Sequence, residues 1–400
     1  MKKIFLLAVI LVVSNVIIVF AQPAAQQSMK KLINTNMEFA AKQYKILMQN
    51  TPDTLMPRSF DASKNQLVTS DTKWWCSGFY PGSLLYIYEY TKDPVIKTEA
   101  LKRLGILEKE KYYTGNHDLG FKMFCSFGNA YRIFGDSTFK EVIFKAAASL
   151  ATRYRPSIKA IQSWNSNEKL KCPVIIDNMM NLELLYWVSE HGGDARFKEI
   201  AVTHANTTLQ NHFRPDYSSY HVVDYDLNTG DVIKKITWQG AADSSAWARG
   251  QAWGLYGYTM MYRFTKNKAY LDLARHIAQF ILHHTNLPAD KIPYWDFNAV
   301  GIPSTYRDAS SASILASAFL ELGQYVTKKE SKELVYTAEK ILQSLASPAY
   351  RSNAGENGGF ILLHSVGSVP NKSEVDVPLT YADYYFLEAL KRYKDWYLDK

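Results

Sequence analysis

Apolar residues recur at three- and four-residue steps over 31–49, 79–91, 118–134, 138–154, 177–190 and 195–212. The same spacing returns over 246–264, 269–285, 310–326, 331–346 and 380–397. It places those residues on one face of a 3.6-residue helix. With a weaker segment near 94–108, the pattern predicts about twelve helices joined mostly by short loops. Alternating runs are few: "SYHVVDYD" (219–226), "DVIKKITWQ" (231–239) and "GGFILLHSV" (358–366). The first two flank "LNTGD", so Asn228-Thr229-Gly230 is the expected turn of a hairpin.

No Pro-, Gly- or Ser-rich linker interrupts the helices, which predicts a single domain over residues 22–400. An open solenoid would show a fixed repeat period, and none is found. Irregular insertions at 155–173, 213–245 and 286–309 suit a closed ring whose long loops gather at one end, where binding residues usually sit. The expected class is therefore all-α: a toroid of six inner and six outer helices, an (α/α)6 barrel, with a small β-hairpin insertion.

Residues 1–21, "MKKIFLLAVILVVSNVIIVFA", carry two lysines, an apolar run and small residues at Val19 and Ala21. They read as a secretory signal peptide cleaved after Ala21, with an uncleaved anchor as the alternative. No cysteine follows the run, against a lipid anchor. The expectation is an exported protein, periplasmic or secreted, with no stable membrane insertion after cleavage. The formal charge of +8 falls to +6 without Lys2 and Lys3, and no basic block exceeds pairs such as Lys234-Lys235. Nucleic acid is not an expected partner. Cys76, Cys125 and Cys172 are odd in number and show no CxxC spacing, so neither a disulfide scaffold nor a zinc site is indicated. The 27 Tyr, 19 Phe and 9 Trp exceed what a core needs, and flat rings suit sugars.

Polar residues concentrate where apolar helices begin: His117-Asp118 in "GNHDLGFKMF", Asp177-Asn178 in "VIIDNMMNLELLYW", and Arg307-Asp308 in "STYRDASSASILAS". "QGAADSSAWARGQAWGLYGYT" adds Gln239, Asp243, Trp247, Arg249, Gln251 and Trp253. Each aspartate taken alone reads first as a helix cap. Asp118 and Asp177 also sit among bulky neighbours, and parallel inner helices would bring their starts to one mouth. Two carboxylates facing each other there can separate into an acid and a base. Arg249 either meets an anion through its planar fork or makes a structural salt bridge. No HExxH, GxSxG, P-loop or GxGxxG signature is present, so no metal and no cofactor is expected.

Together the stretches "WWCSGFYPG" (74–82), "GNHDLGF" (115–121), "IIDNMMNLELLYW" (175–187), "TWQGAADSSAWARGQAWGLYGY" (237–258) and "RDASSASILAS" (307–317) resemble the unsaturated glucuronyl hydrolases, glycoside hydrolase family 88. The resemblance implies the same (α/α)6 barrel and action on the 4,5-unsaturated uronic acid that lyases leave at a non-reducing end. It implies hydration of the C4=C5 vinyl ether, after which a hemiketal collapses and expels the remaining sugar. By motif, Asp177 would be the general acid/base and Asp118 the second carboxylate. His117, Asn178, His221, Thr237, Gln239, Trp247, Arg249 and Trp253 would bind the uronate, with Trp75 as an aromatic wall. Some members hold sulfated sugars through two serines and a lysine in a late loop. "LLHSVGSVPNKSE" offers Ser365, Ser368 and Lys372, with the lysine four residues after the second serine where the family has two. Two rival readings are an unsaturated rhamnogalacturonyl hydrolase of pectin breakdown and a non-catalytic oligosaccharide-binding protein on the same scaffold.

Overall fold

The computed structural model describes the backbone of residues 2–399 and the side chains of residues 26–399. The leader expected over residues 1–21 lies outside the residues described in full. Among the described residues no helix is long and apolar enough to cross a membrane.

The long helices are α1 (Lys2–Asn50), α2 (Phe79–Thr91), α3 (Pro94–Leu107), α4 (Asn129–Phe134), α5 (Ser137–Ala151), α6 (Leu182–Glu190) and α7 (Arg196–Asn211). Then come α8 (Ala248–Thr265), α9 (Lys268–His283), α10 (Ala309–Leu322), α11 (Lys328–Leu345) and α12 (Thr380–Tyr393). Two of the expected helices are not regular throughout. The first nine residues before α4, Gly120–Gly128, wind as a π-helix, and a 3-10 turn, Ile176–Asn181, leads into α6. Loosely and tightly wound turns of this kind recur at functional sites.

Six segments form the inner ring: α2, the π-helix with α4, the 3-10 turn with α6, α8, α10 and α12. Each packs on the next, and α12 closes back onto α2. The remaining helices lie outside them. The two rings have different sequences for a physical reason. An outer helix buries one stripe, as α11 buries Leu334, Ala338, Ile341, Leu342 and Leu345. Each fully buried Leu or Ile of such a stripe contributes about 1.5–3 kcal/mol. An inner helix is enclosed all round: residues 248–261 of α8 and the whole of α10 are buried. Small residues in α10, "ASSASILAS", let its neighbours approach closely.

Helix ends follow the same division. Asp93, Asp136, Asn267 and Thr327 each accept an amide hydrogen at the start of outer helices α3, α5, α9 and α11. On the inner ring only α10 has a side-chain cap, Asp308. At the far end of the ring the Glu388 carboxylate accepts the hydroxyls of Tyr86, Tyr256 and Ser317, tying α2, α8, α10 and α12 together.

Strands are short. The expected hairpin appears as β6 (Val222–Tyr225) and β7 (Val232–Ile236), with β5 (Pro173–Ile175) added antiparallel to β6. The run 358–366 is not a strand as expected. Only its end extends, as β8 (Ser365–Ser368), paired with β9 (Ser373–Val377), because a 3-10 turn at Asn357–Gly359 occupies its start. A hairpin of β1 (Met56–Asp61) and β2 (Gln66–Ser70), and the short pair β3 (Tyr154–Arg155) and β4 (Ala160–Ile161), had no clear alternation to announce them. All three cysteines are free thiols.

Candidate active site

The starts of the inner helices converge on a cavity of about 450 Å³. Its wall includes Trp75, His117, Asp118, Asp177, His221, Gln239, Arg249 and Ser368 from the residues singled out in the sequence.

Asp177 is the second residue of the 3-10 turn and is placed there by β5. The Ile175 amide donates to the Ser163 hydroxyl at 3.0 Å, and the Ile176 amide to the His221 carbonyl at 3.0 Å. No helix amide is capped by a side chain at this turn, so the capping reading fails for Asp177. Nor does Asp118 cap its helix: no side-chain cap closes the start of the π-helix. Asp118 is instead set by its neighbours. Its amide donates to Asn116 Oδ1 at 3.1 Å, and His117 Nε2 lies 3.2 Å from its Oδ1.

One residue docks the two carboxylate-bearing segments. Asn181 Oδ1 accepts the amide of Phe121 at 3.1 Å, and Gly120 lies against the Asn181 backbone. A Cβ at Gly120 would stand 2.5 Å from the Asn181 Cα, so only glycine permits this approach.

The electrostatics separate Asp177 from its surroundings. Burial pushes its carboxyl up to about 6, against the pull of His117 and Arg249, with Asp118 adding a small upward push. Its Oδ2 is buried without a hydrogen-bond partner. His221 Nε2 is the facing group, 3.8 Å away and likewise unpartnered. The His221 ring has one possible tautomer here. Its Nδ1 accepts the amides of Trp238 at 3.1 Å and Gln239 at 3.2 Å, so a neutral ring carries its proton on Nε2. Burial, assisted by the nearby Arg249, lowers its pKa to about 3, which keeps the ring neutral near pH 7. Replacing His221 with Phe leaves those two amides without an acceptor. We expect the variant to lose about 1–3 kcal/mol of stability, measured as a lowered denaturation midpoint.

Arg249 makes the structural salt bridge that was one of its two readings. Nη1 donates to the Val366 carbonyl and lies 3.4 Å from Asp308 Oδ2, while Nη2 donates to the Gly367 carbonyl at 2.7 Å. Those bonds account for three of the five N–H donors of a guanidinium. Two remain, on a side chain that reaches the cavity wall. Its plane lies over Trp247 at 4.6 Å.

Six expected residues are not on the wall. Trp253 is fully enclosed between Phe121 and Tyr385, because an inner helix has no free face. Trp247 packs against His221, with ring centroids 4.4 Å apart and the planes tilted by 35°. Asn178 is turned away to donate to the Ile161 carbonyl at 2.8 Å, and Thr237 Oγ1 accepts the Gly240 amide at 2.8 Å. In the late loop Ser365 is buried off the cavity and Lys372 does not reach it. Ser368 does, with its hydroxyl accepting from Asn371 Nδ2 at 2.8 Å.

The wall also contains residues that sequence reasoning missed: Trp74, Asn116, Ser163, Trp164, Ile175, Trp238, Gly367, Asn371, Ser373, Glu374 and Tyr381. Trp74, Asn116 and Trp238 lie inside the motif stretches and were within reach of the same argument. Gly367, Asn371, Ser373 and Glu374 lie in the late stretch "LLHSVGSVPNKSE", where attention went to Ser365, Ser368 and Lys372, and Tyr381 belongs to no motif.

No family model matches the chain. It is 46% identical over 338 residues to an unsaturated glucuronyl hydrolase of Formosa agariphila, covering 84% of each. It is 34% identical over 349 residues to an unsaturated chondroitin disaccharide hydrolase of Streptococcus pneumoniae, covering 86% of this chain and 87% of that one. The crystal structure of an unsaturated glucuronyl hydrolase specific for heparin superposes with a TM-score of 0.88 at 44% identity, covering 91% of this chain and 97% of the other. These relatives favour an uronyl-removing hydrolase over a pectin-directed or non-catalytic protein. With the closed helical ring and paired aspartates at its mouth, they establish that this chain belongs to the unsaturated glucuronyl hydrolases, glycoside hydrolase family 88.

Proposed function

We propose that this chain removes the 4,5-unsaturated glucuronic acid from the non-reducing end of lyase-generated glycosaminoglycan oligosaccharides, with Asp177 as general acid/base and Asp118 assisting. The observation that carries the assignment is the Asp177 carboxyl: on the cavity wall, with a buried, unpartnered Oδ2 and a pKa raised to about 6. A carboxyl poised there can both give and take a proton near neutral pH.

The reaction follows from that capacity. The carboxyl proton of Asp177 goes to C4 as the C4=C5 π pair forms the new C–H bond. The ring oxygen shares the positive charge left at C5. Water attacks C5 and returns its proton to the Asp177 carboxylate, giving a hemiketal. Cleavage of the C5–O bond opens the ring, and the leaving sugar departs from C1. His221, neutral with Nε2–H toward Asp177, supplies a donor as that carboxylate forms. The two unused N–H groups of Arg249 suit the uronate carboxylate, Asp118 and Gln239 suit sugar hydroxyls, and Trp75 offers a face to the ring. We further propose that the protein is exported, on the strength of its N-terminal sequence.

The pH profile tests the role of Asp177. The reacting form of the free enzyme is the protonated one, so kcat/KM is expected to fall as pH rises through about 6. His221, with its pKa lowered to about 3, contributes no limb near neutrality. The substrate assignment is tested by the ultraviolet absorbance of the C=C–COO⁻ group across a panel of unsaturated disaccharides. Loss of absorbance with glycosaminoglycan members is expected, and no decay with any of them would refute the assignment.

A further inference from the structure

The arm from Asn371 to Val377 brings a carboxylate to the mouth of the cavity by unusual means. Lys372, Glu374 and Asp376 hold positive φ of 50°, 53° and 57°, a conformation that residues with a Cβ adopt only at a cost. Such strain persists where surrounding structure enforces it, and it clusters at functional sites. Three groups hold the Glu374 side chain in place. Arg58, reaching over from β1, donates Nε to Glu374 Oε1 at 2.5 Å. The Arg58 guanidinium is in turn held 4.1 Å above the Trp74 ring. Gly367 on β8 leaves room for the side chain, since a Cβ there would stand 2.8 Å from the Glu374 Cβ and 2.9 Å from Oε2.

The resulting ion pair is oriented. Glu374 lies on the cavity wall and Arg58 does not, so the negative end points inward. Among the described residues, no hydrogen bond reaches Oε2. The wall carries three carboxylates, Asp118, Asp177 and Glu374, against one guanidinium, Arg249, which is already bonded to two carbonyls. Lys169 lies 5.8 Å from the Trp238 ring, and neither it nor Lys372 is on the wall. Depth assigns the subsite. The Asp177 side chain is only 14% exposed and its Oδ2 is shut from solvent, whereas Trp74 and Trp238 at the mouth are 37% and 40% exposed. Asn371 bonds the Trp238 carbonyl at 3.1 Å, which puts this arm beside the mouth, where the leaving sugar must sit.

We propose that Glu374 sets the charge preference of the leaving-sugar subsite, accepting a hydroxyl or ammonium donor at Oε2 and disfavouring a sulfate there. The proposal rests on the hydrolase reading above and deepens it. An anion brought against this inward carboxylate, whose side chain is only 12% exposed, meets like charge, and such juxtaposition discriminates strongly.

The test compares kcat/KM for an unsaturated uronyl–hexosamine disaccharide without sulfate and for its 6-sulfated counterpart. The wild-type protein should favour the unsulfated substrate by about tenfold or more. Glu374→Gln keeps the shape and removes the charge, so the ratio should fall toward one. Arg58→Met removes the counter-charge and should push the ratio the other way, which guards against misreading a folding defect in a single variant. A merely steric or structural role would leave the ratio unmoved by Glu374→Gln. Equal or better turnover of the sulfated disaccharide by wild type, or an unchanged ratio in both variants, overturns the proposal. Failure of wild type to consume either disaccharide or any other panel member would overturn the hydrolase reading instead.

Discussion

Asp177→Asn is expected to lower turnover by about 10²–10⁴-fold or more while leaving substrate binding intact and making the protein more stable at neutral pH. The loss of rate follows because an amide can neither deliver a proton to C4 nor take one from water. Binding survives because Asn fills the same space and the rest of the wall is untouched. The gain in stability follows from the raised pKa. The folded carboxyl titrates near 6 against an ordinary 3.8, so between those values the native state holds a proton that the unfolded chain has lost. Stability therefore falls as pH rises through that window, and above it the ionised group costs roughly 3 kcal/mol. Asn removes that cost. Denaturation midpoints should rise in the variant near pH 7 and converge with wild type as pH approaches 4. Unchanged turnover, or a variant less stable at neutral pH, would sink the account.

Arg249→Met is expected to cost about 3–5 kcal/mol and to abolish activity. Its guanidinium bridges α8 to β8 through the carbonyls of Val366 and Gly367, and it faces the buried Asp308 that caps α10. Removing it strands two carbonyls and leaves Asp308 without its cation, although that carboxylate keeps donors from Ser310, Ser311 and the Val366 amide. Lysine should not rescue the variant, because a point charge cannot serve two carbonyls, a carboxylate and a substrate anion together. Chemical denaturation gives the stability change, and loss of the unsaturated chromophore gives the activity. A variant within about 1 kcal/mol of wild type would show that the bridge carries little.

The two variants differ in kind. Asp177 is maintained against stability, whereas Arg249 is bonded into the scaffold and also lines the cavity. Proteins sit only a few kcal/mol above unfolding, so a site built from buried charge needs partners such as Asp308 and the two carbonyls to be tolerated.

Much of this was legible in the residue order. Helical spacing gave the elements, and the absence of a repeat period pointed to closure of the ring. Asp118 and Asp177 stood out because a charged residue at the head of a long apolar run demands an explanation. What spacing could not say was whether they capped their helices. In the folded chain the caps belong to Asp93, Asp136, Asn267 and Thr327 on the outer ring and to Asp308 within, and the two site aspartates cap nothing.

The tryptophans show the same boundary from the other side. Trp253 was expected in the site and is sealed inside, while Trp74 and Trp238 were passed over and stand at the mouth. An outer helix betrays its buried face by its period, but an inner helix is apolar on every side and its sequence does not say which way a ring points. Glu374 is the extreme case, an ordinary charged residue in an irregular strand, made significant by Gly367 across its own hairpin and by Arg58 and Trp74 from far earlier in the chain. Sequence alone determined the class of fold and the family and singled out the two carboxylates as candidates, because each is a local pattern of residue types. Only the tertiary structure decided which side chains face the cavity, which charges are paired and which proton is held, because burial and electrostatics depend on neighbours that the chain brings together from far apart.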